Sequence, residues 1–243
     1  MSGRAGQGES SVPGSPGGRE PGGWRSQILE VSRPGDEAVR TYSRLAPVYE
    51  IWARLTESKA RARVLESADP ADGDSVLEIA TGTGVQLCGL ASRNRSGQTV
   101  GIELSGAMLE QARKRINAAG LGQRVDLLRA DALELPFEDD SFDLVVNSYM
   151  LDLLARDRIP EALGEMRRVL RPGGRLVLSN MTKAQKRRHG IWDWLYGHGL
   201  GVTANCRGVL AAPVLAELGF TGIRREYLSQ MMFPTEIVSA RKP

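Results

Sequence analysis

No stretch of this chain approaches the about 20 consecutive apolar residues that a membrane-spanning helix requires, because polar residues break every apolar run. The N-terminus also lacks the apolar core of a secretory signal, and Arg4 and Arg19 stand there among Gly, Ser and Pro. Both absences lead to the expectation of a soluble, cytoplasmic protein. Cysteine is scarce: Cys88 and Cys206 lie far apart and match no close-pair spacing, which argues against a disulfide framework or a structural metal site and for separate reduced thiols. Neither sign of charge dominates, with 32 Lys and Arg against 29 Asp and Glu and a net charge of +3. Only Lys183 to His189 forms a basic run, so a nucleic-acid partner is not expected.

What is present is ordinary globular composition, 41% hydrophobic and 25% charged over 243 residues, which excludes fibrous, collagenous and wholly disordered chains. Fifteen of the first 23 residues are Gly, Ser or Pro, a segment with little apolar area to offset its ordering entropy. Residues 1–33 are therefore expected to be a flexible tail, and 34–243 a single domain. Residues 36–68 read as helical, with Pro47 dividing the segment. Strand candidates follow at 75–79, 98–102, 124–129, 142–147 and 174–179, separated by helices at about 85–95, 106–119 and 158–170. That alternation predicts a doubly wound α/β sheet. Leu210 to Leu218 predicts a last helix capped by Gly219, and 222–228 and 234–240 predict two strands whose short connection makes them antiparallel neighbours.

The segment Val76-Leu77-Glu78-Ile79-Ala80-Thr81-Gly82-Thr83-Gly84 reads as an apolar strand holding an acid, then small residues before a helix. Gly82 and Gly84 allow a sharp turn and close approach to a ligand, at the carboxyl end of the strand where such sheets place their crevice. A second strand ends at Glu103, about 20 residues on, where a carboxylate can accept hydrogen bonds from ribose hydroxyls. A solvated strand-end carboxylate is the plainer alternative. A dinucleotide site would present the same acid, but its GxGxxG fingerprint needs glycine at 87, where Leu87 stands. A nucleoside without pyrophosphate suits this corner better.

Gly101-Ile102-Glu103-Leu104-Ser105, Asp131-Ala132-Leu133-Glu134-Leu135-Pro136-Phe137, Phe142-Asp143-Leu144-Val145-Val146-Asn147-Ser148 and Leu170-Arg171-Pro172-Gly173-Gly174-Arg175 follow in order. With this series the chain, over about residues 41 to 240, resembles the class I S-adenosylmethionine-dependent methyltransferases. Its likeness is to the branch holding the ubiquinone and menaquinone C-methyltransferases and the bacterial phospholipid N-methyltransferases. The resemblance implies a Rossmann-like seven-stranded fold of strand order 3-2-1-4-5-7-6 with strand 7 antiparallel. It implies S-adenosyl-L-methionine as cofactor and S-adenosyl-L-homocysteine as product. Ala80, which stands where the family often has glycine, would border the methionine part together with Thr81, Gly82 and Gly84, and Glu78 would organise the site near its amino group. Glu103 would take the ribose and Leu104 would lie beside adenine. Asp131 would read the adenine amino group, with Ala132 against the ring, although an aspartate there could equally cap a helix. Asn147 would complete the cofactor contacts at the mouth of the site, and Tyr42 would close a lid formed by 36–68.

Methyl transfer needs alignment and exclusion of water, and a general base only where the acceptor must lose a proton. Tyr149, Asp152 and His189 are the catalytic candidates, with helix capping the competing role for Asp152 and a surface position that for His189. The segment 180–206, basic and aromatic, is the expected acceptor-site insert, with possible peripheral contact to an anionic membrane. The preferred function is methyl transfer to a small-molecule or lipid-like acceptor. A quinone-precursor C-methyltransferase and a non-catalytic cofactor-binding scaffold are the alternatives, and an NAD-dependent oxidoreductase fits less well. Oligomeric state is left open.

Overall fold

A computed structural model describes residues 57–182, 208–230 and 233–243. Tyr42, His189, the expected tail and most of the expected insert lie outside the described residues, as do residues 36–56 of the expected helical segment. A helix over 57–68 (α1) precedes β1 (Val76–Ile79), α2 (Val85–Arg93), β2 (Thr99–Glu103), α3 (Gly106–Ala118) and β3 (Val125–Arg129). The chain continues through β4 (Phe142–Ser148), short 3-10 turns at Leu151–Leu153 and Arg156–Arg158, and α4 (Ile159–Val169). It ends with β5 (Leu170–Met181), α5 (Ala211–Glu217), β6 (Thr221–Gln230) and β7 (Phe233–Arg241). Among the described residues, no helix is long and apolar enough to cross a membrane.

The seven strands form one sheet in the order β3-β2-β1-β4-β5-β7-β6. The first five are parallel, and β7 runs antiparallel to both β5 and β6, as the family resemblance implies. β1 and β2 are buried along their whole length, so both faces carry apolar side chains. Alternate residues serve opposite cores. Leu77 and Ile79 pack with Leu163, Met166 and Leu215 from α4 and α5, whereas Val76 packs with Val64 and Leu90 from α1 and α2.

Helix ends follow from local chemistry. Gly120 (φ 70°) and Gly219 (φ 78°) take left-handed dihedrals just past α3 and α5. The amides of Leu121 and Phe220 return to the carbonyls of Ile116 and Leu215, both at 3.0 Å, which satisfies groups the helices leave open. The Pro172-Gly173-Gly174 turn lies within β5: Leu170 pairs with Phe142 and Arg175 with Leu144, and the residues between bulge out through Gly173 (φ 79°). Asp143 fixes this edge by accepting from the Ser75 amide at 2.8 Å and from Arg171 at 2.6 Å. Those bonds hold its carboxyl below the usual range in spite of partial burial, which pushes the other way.

The sheet reverses direction of winding between β1 and β4, and register brings Ile79 level with Ile102 and Asn147. The segments that leave β1, β2 and β4 therefore open into one crevice. Gly101 keeps β2 close to α2: a Cβ there would stand 2.4 Å from Leu87 Cδ2 and 3.1 Å from Leu127 Cδ2, and Leu87 is fully buried. Gly101→Ala is expected to lower stability by about 1–3 kcal/mol through overpacking, measured by urea denaturation.

Candidate active site

The loop after β1 is built from left-handed backbone. Ala80 (φ 56°), Gly82 (φ 55°) and Gly84 (φ 77°) all take positive dihedrals, and Ala80 does so at a cost of about 1–2 kcal/mol that glycine would avoid. Three bonds secure it. The Thr81 amide donates to Ile102 O at 2.9 Å, the Gly84 amide to Thr81 O at 3.0 Å, and the Gly82 amide to Glu103 Oε2 at 2.9 Å. From α3, Arg115 donates to the carbonyl and hydroxyl of Thr83 at 2.7 and 2.8 Å.

Glu103 also accepts from the Ser105 amide at 2.9 Å, while Ser105 Oγ caps α3 through the Met108 amide. Burial raises the Glu103 carboxyl above its ordinary value, and backbone donors from Ser105, Gly82 and Leu104 oppose the rise. Each of its oxygens keeps a further lone pair, so a hydroxyl donor from the crevice can still bind. At the neighbouring corner Asp131 is exposed and accepts from the Leu133 amide at 3.0 Å. It closes a turn in which no helix follows, so the alternative of a helix cap is corrected to a turn cap.

These segments enclose a cavity of about 290 Å³. Glu78, Ala80, Thr81, Gly82, Glu103, Leu104, Asp131 and Ala132 are on its wall, together with Tyr149. Gly84 is not: a Cβ there would meet Ala112 Cα and Cβ at 3.1 Å, so its lack of a side chain serves the contact of α2 with α3. Asn147 is also off the wall, fully buried, with Nδ2 donating to Ile79 O at 2.8 Å across β4 and β1. Both are corrections to the expected cofactor contacts. Asp152 is a third correction, this time to the catalytic set. It is fully buried behind the wall, and Oδ2 accepts from the Met181 amide at 3.0 Å, a role in securing the end of β5.

Tyr149 leaves β4 in a left-handed conformation (φ 53°) and aims its ring at Phe233, with centroids 6.2 Å apart. Its hydroxyl shares a hydrogen bond with Thr235 Oγ1 at 2.9 Å. Burial holds the phenol well above its usual pKa, the charges of Glu57 and Asp152 add to that, and the Thr235 bond and Arg61 oppose it. It is therefore a neutral wall at physiological pH, not a base.

The sequence places 57–68 in the expected lid but does not single out two of its side chains. Glu57 and Arg61 line the cavity as an ion pair at 2.9 Å, with side-chain exposures of 4% and 24%. An i,i+4 acid–base pair looks in sequence like any solvated helix face. Gln86 and Ser148 were missed too; both line the cavity, and Gln86 Nε2 and Ser148 Oγ are buried without a hydrogen-bond partner. A polar residue in the first turn after the glycine loop was the available signal for Gln86.

Residues 76–174 match the family model described as a methyltransferase domain. The demethylmenaquinone methyltransferase of Thermus thermophilus is 36% identical over 154 residues, a match covering 62% of this chain and 68% of the relative. The chain belongs to the class I S-adenosylmethionine-dependent methyltransferases. The ubiquinone/menaquinone biosynthesis C-methyltransferase of Paracoccus denitrificans is 32% identical over 159 residues, covering 64% of this methyltransferase-family chain. The match spans 62% of that relative, just under two thirds of its length. The crystal structure of the cyclase SpnF superposes with a TM-score of 0.68 at 20% identity, covering 88% of this chain and 98% of the other. A possible histamine N-methyltransferase from Thermotoga maritima gives a TM-score of 0.65 at 20% identity, covering 83% and 98%. These two share the fold.

Glu78 is 2% exposed, and its Oε2 accepts from Thr81 Oγ1 at 2.9 Å. Burial pushes its carboxyl up to about 8, with Thr81 and Arg61 opposing and Glu103 adding. Between its ordinary value of 4.5 and about 8 the folded chain holds a proton that the unfolded chain has released. Stability should thus fall as pH rises through that window and then level off. Glu78→Gln should flatten this part of the melting-temperature profile in the ligand-free protein; an unaltered slope would contradict the assignment.

Proposed function

We propose that the cavity binds S-adenosylmethionine and that the chain transfers a methyl group to a small-molecule acceptor. The observation that carries this is the placement of Glu103 at the end of β2, buried on the cavity wall and bonded to the Gly82 amide, with lone pairs left for two vicinal hydroxyls. The group fits the residues present. The loop around Gly82 is open, since a Cβ at that residue would meet nothing within 4 Å. Gln86 Nε2 and Ser148 Oγ offer buried polar atoms in want of partners.

In this reading Leu104 and Ala132 flank the adenine and Asp131 takes its amino group. Glu103 holds the ribose, and Ala80, Thr81 and Gly82 border the methionine part, with Glu78 toward the ammonium. When bound, the cofactor supplies an electrophilic methyl group on a sulfonium. The chain aligns it and excludes water, and Tyr149, Met150, Leu153 and Leu154 form an apolar wall where the acceptor would sit. That wall suits a ring or chain better than a strongly hydrated acceptor.

Among acceptors, a quinone-precursor ring methylated at carbon now ranks above the lipid-like acceptor. Its support is the activity for which the relatives from Thermus thermophilus and Paracoccus denitrificans are named, together with the apolar wall.

Calorimetric titration with S-adenosylhomocysteine and with NAD tests the site. Saturable binding of the first alone is expected, because Leu87, fully buried against Ala91 and Ile116, takes the place of the third dinucleotide glycine. Glu103→Ala should weaken S-adenosylhomocysteine about 10- to 100-fold, the range for lost hydrogen bonds to a charged group. Equal affinity in that variant would remove Glu103 from the ribose site.

A further inference from the structure

On the α1 and α2 side of the sheet, Val64, Val76, Leu90 and Val146 belong to one buried apolar cluster. The strands β1 and β4 run toward the cavity. The helix α1 runs away from it, since Ala60 packs with Tyr149, Met181 and Phe233 whereas the carbonyl of Ala68 accepts from Arg175 near the start of the strands. The helix α2 likewise starts at the glycine loop. One step closer to the cavity, the same faces carry Arg61 a turn before Val64, Glu78 two residues past Val76, Gln86 a turn before Leu90 and Ser148 two residues past Val146. All four line the cavity and form a polar layer over the apolar one. That layer is incomplete in itself. Gln86 is 7% exposed, and its Nε2, like Ser148 Oγ, is buried without a hydrogen-bond partner, a cost that a ligand can remove. Arg61 donates through Nη2 to Glu57 at 2.9 Å, its planar group carries further N–H donors, and its charge acts on the Glu78 carboxyl. Donors on two helices beside an acid on the strand between them suit a ligand group that joins an anion to a cation.

We infer that Arg61 and Gln86 hold the carboxylate of the cofactor's amino-acid end, which makes α1 a specificity element that selects nucleosides carrying that end over those without it. The inference rests on the proposed binding of S-adenosylmethionine and deepens it. Glu78 is already drawn toward the ammonium, so charge alternates from Glu57 through Arg61, the ligand carboxylate and the ligand ammonium to Glu78. A guanidinium suits the place in this series between two carboxylates, because it stays charged and has donors enough for both. Its bond to Glu57 holds one edge of the group in place. Gln86 adds a donor from α2 without adding charge. The carboxylate thereby ties α1 to the first turn of α2 across the end of β1.

The test is calorimetric titration of the full chain with S-adenosylhomocysteine, with its decarboxylated form, which keeps the ammonium, and with 5′-methylthioadenosine, which lacks the whole amino-acid end. The parent should bind the decarboxylated form about 10- to 100-fold more weakly than S-adenosylhomocysteine, the range for hydrogen bonds to a charged group. Arg61→Met should weaken S-adenosylhomocysteine by about the same factor and remove most of that preference. Methylthioadenosine should stay within about 2-fold of the parent, which also shows that the variant folds. Arg61→Lys should recover part of the loss. Gln86→Met breaks no ion pair and should weaken S-adenosylhomocysteine about 3- to 10-fold while leaving methylthioadenosine unchanged. Equal affinity of the parent for S-adenosylhomocysteine and its decarboxylated form overturns the inference, and so do variants that keep the parent's preference. An equal loss of all three ligands in either variant gives that residue a structural role and overturns its assignment to the carboxylate. A parent chain that binds none of the three would instead overturn the cofactor reading itself.

Discussion

One carboxylate joins the parts on which this site depends. Glu103 accepts from Gly82 in the loop after β1 and from Ser105 at the head of α3, both at 2.9 Å. It ties the loop to the head of α3, alongside the bond from the Thr81 amide to Ile102 O that holds the same loop to β2. The loop from Ala80 to Gly84, left-handed at Ala80, Gly82 and Gly84, is thereby held against β2, and the crevice between them has a fixed floor. Arg115 repeats the constraint from below by binding Thr83, so α3 supports the loop from which it is otherwise remote in sequence. The buried acid costs solvation, and its backbone donors offset that cost while leaving lone pairs toward the cavity.

The cavity that results is unequal from end to end. Around Leu104, Ala132 and Asp131 it is shallow, with an exposed leucine and an exposed aspartate. Around Tyr149 it is buried, walled by Met150 and Leu153 and by α1. Burial disfavours the charged forms there, which is why Glu78 stays protonated to a higher pH than a surface glutamate and Tyr149 stays neutral. A methyl group moving from a cation to a neutral acceptor is helped where water is excluded, since water then competes neither for the donor nor for the developing product.

The alternation of strands and helices was legible because most strands carry a buried apolar run, β3 and β6 excepted, and because Gly120 and Gly219 mark helix ends, whereas the order of the sheet came from the family resemblance. The glycine loop and Glu103 were legible as motifs. Membership of a motif did not say which way a side chain points. Asn147 lies in the fourth motif, but strand alternation turns it toward β1 while Ser148 faces the cavity. Gly84 lies in the first, but its missing Cβ makes room for Ala112. Asp152 follows the fourth strand and is spent on the Met181 amide. Glu57 and Arg61 were hidden for the opposite reason: an amphipathic helix gives no sign in sequence of which polar face a partner will cover, and only the packing of Ala60 against Tyr149 decides it.

The most direct test of the central claim is a crystal structure of the chain grown with S-adenosylhomocysteine. The account predicts the ribose hydroxyls within hydrogen-bond distance of Glu103, with the Gly82 and Ser105 amides still bound to the same carboxylate, and the thioether sulfur facing Tyr149. A nucleoside lying outside the crevice, or one whose ribose is held by other residues while Glu103 faces away, would contradict it.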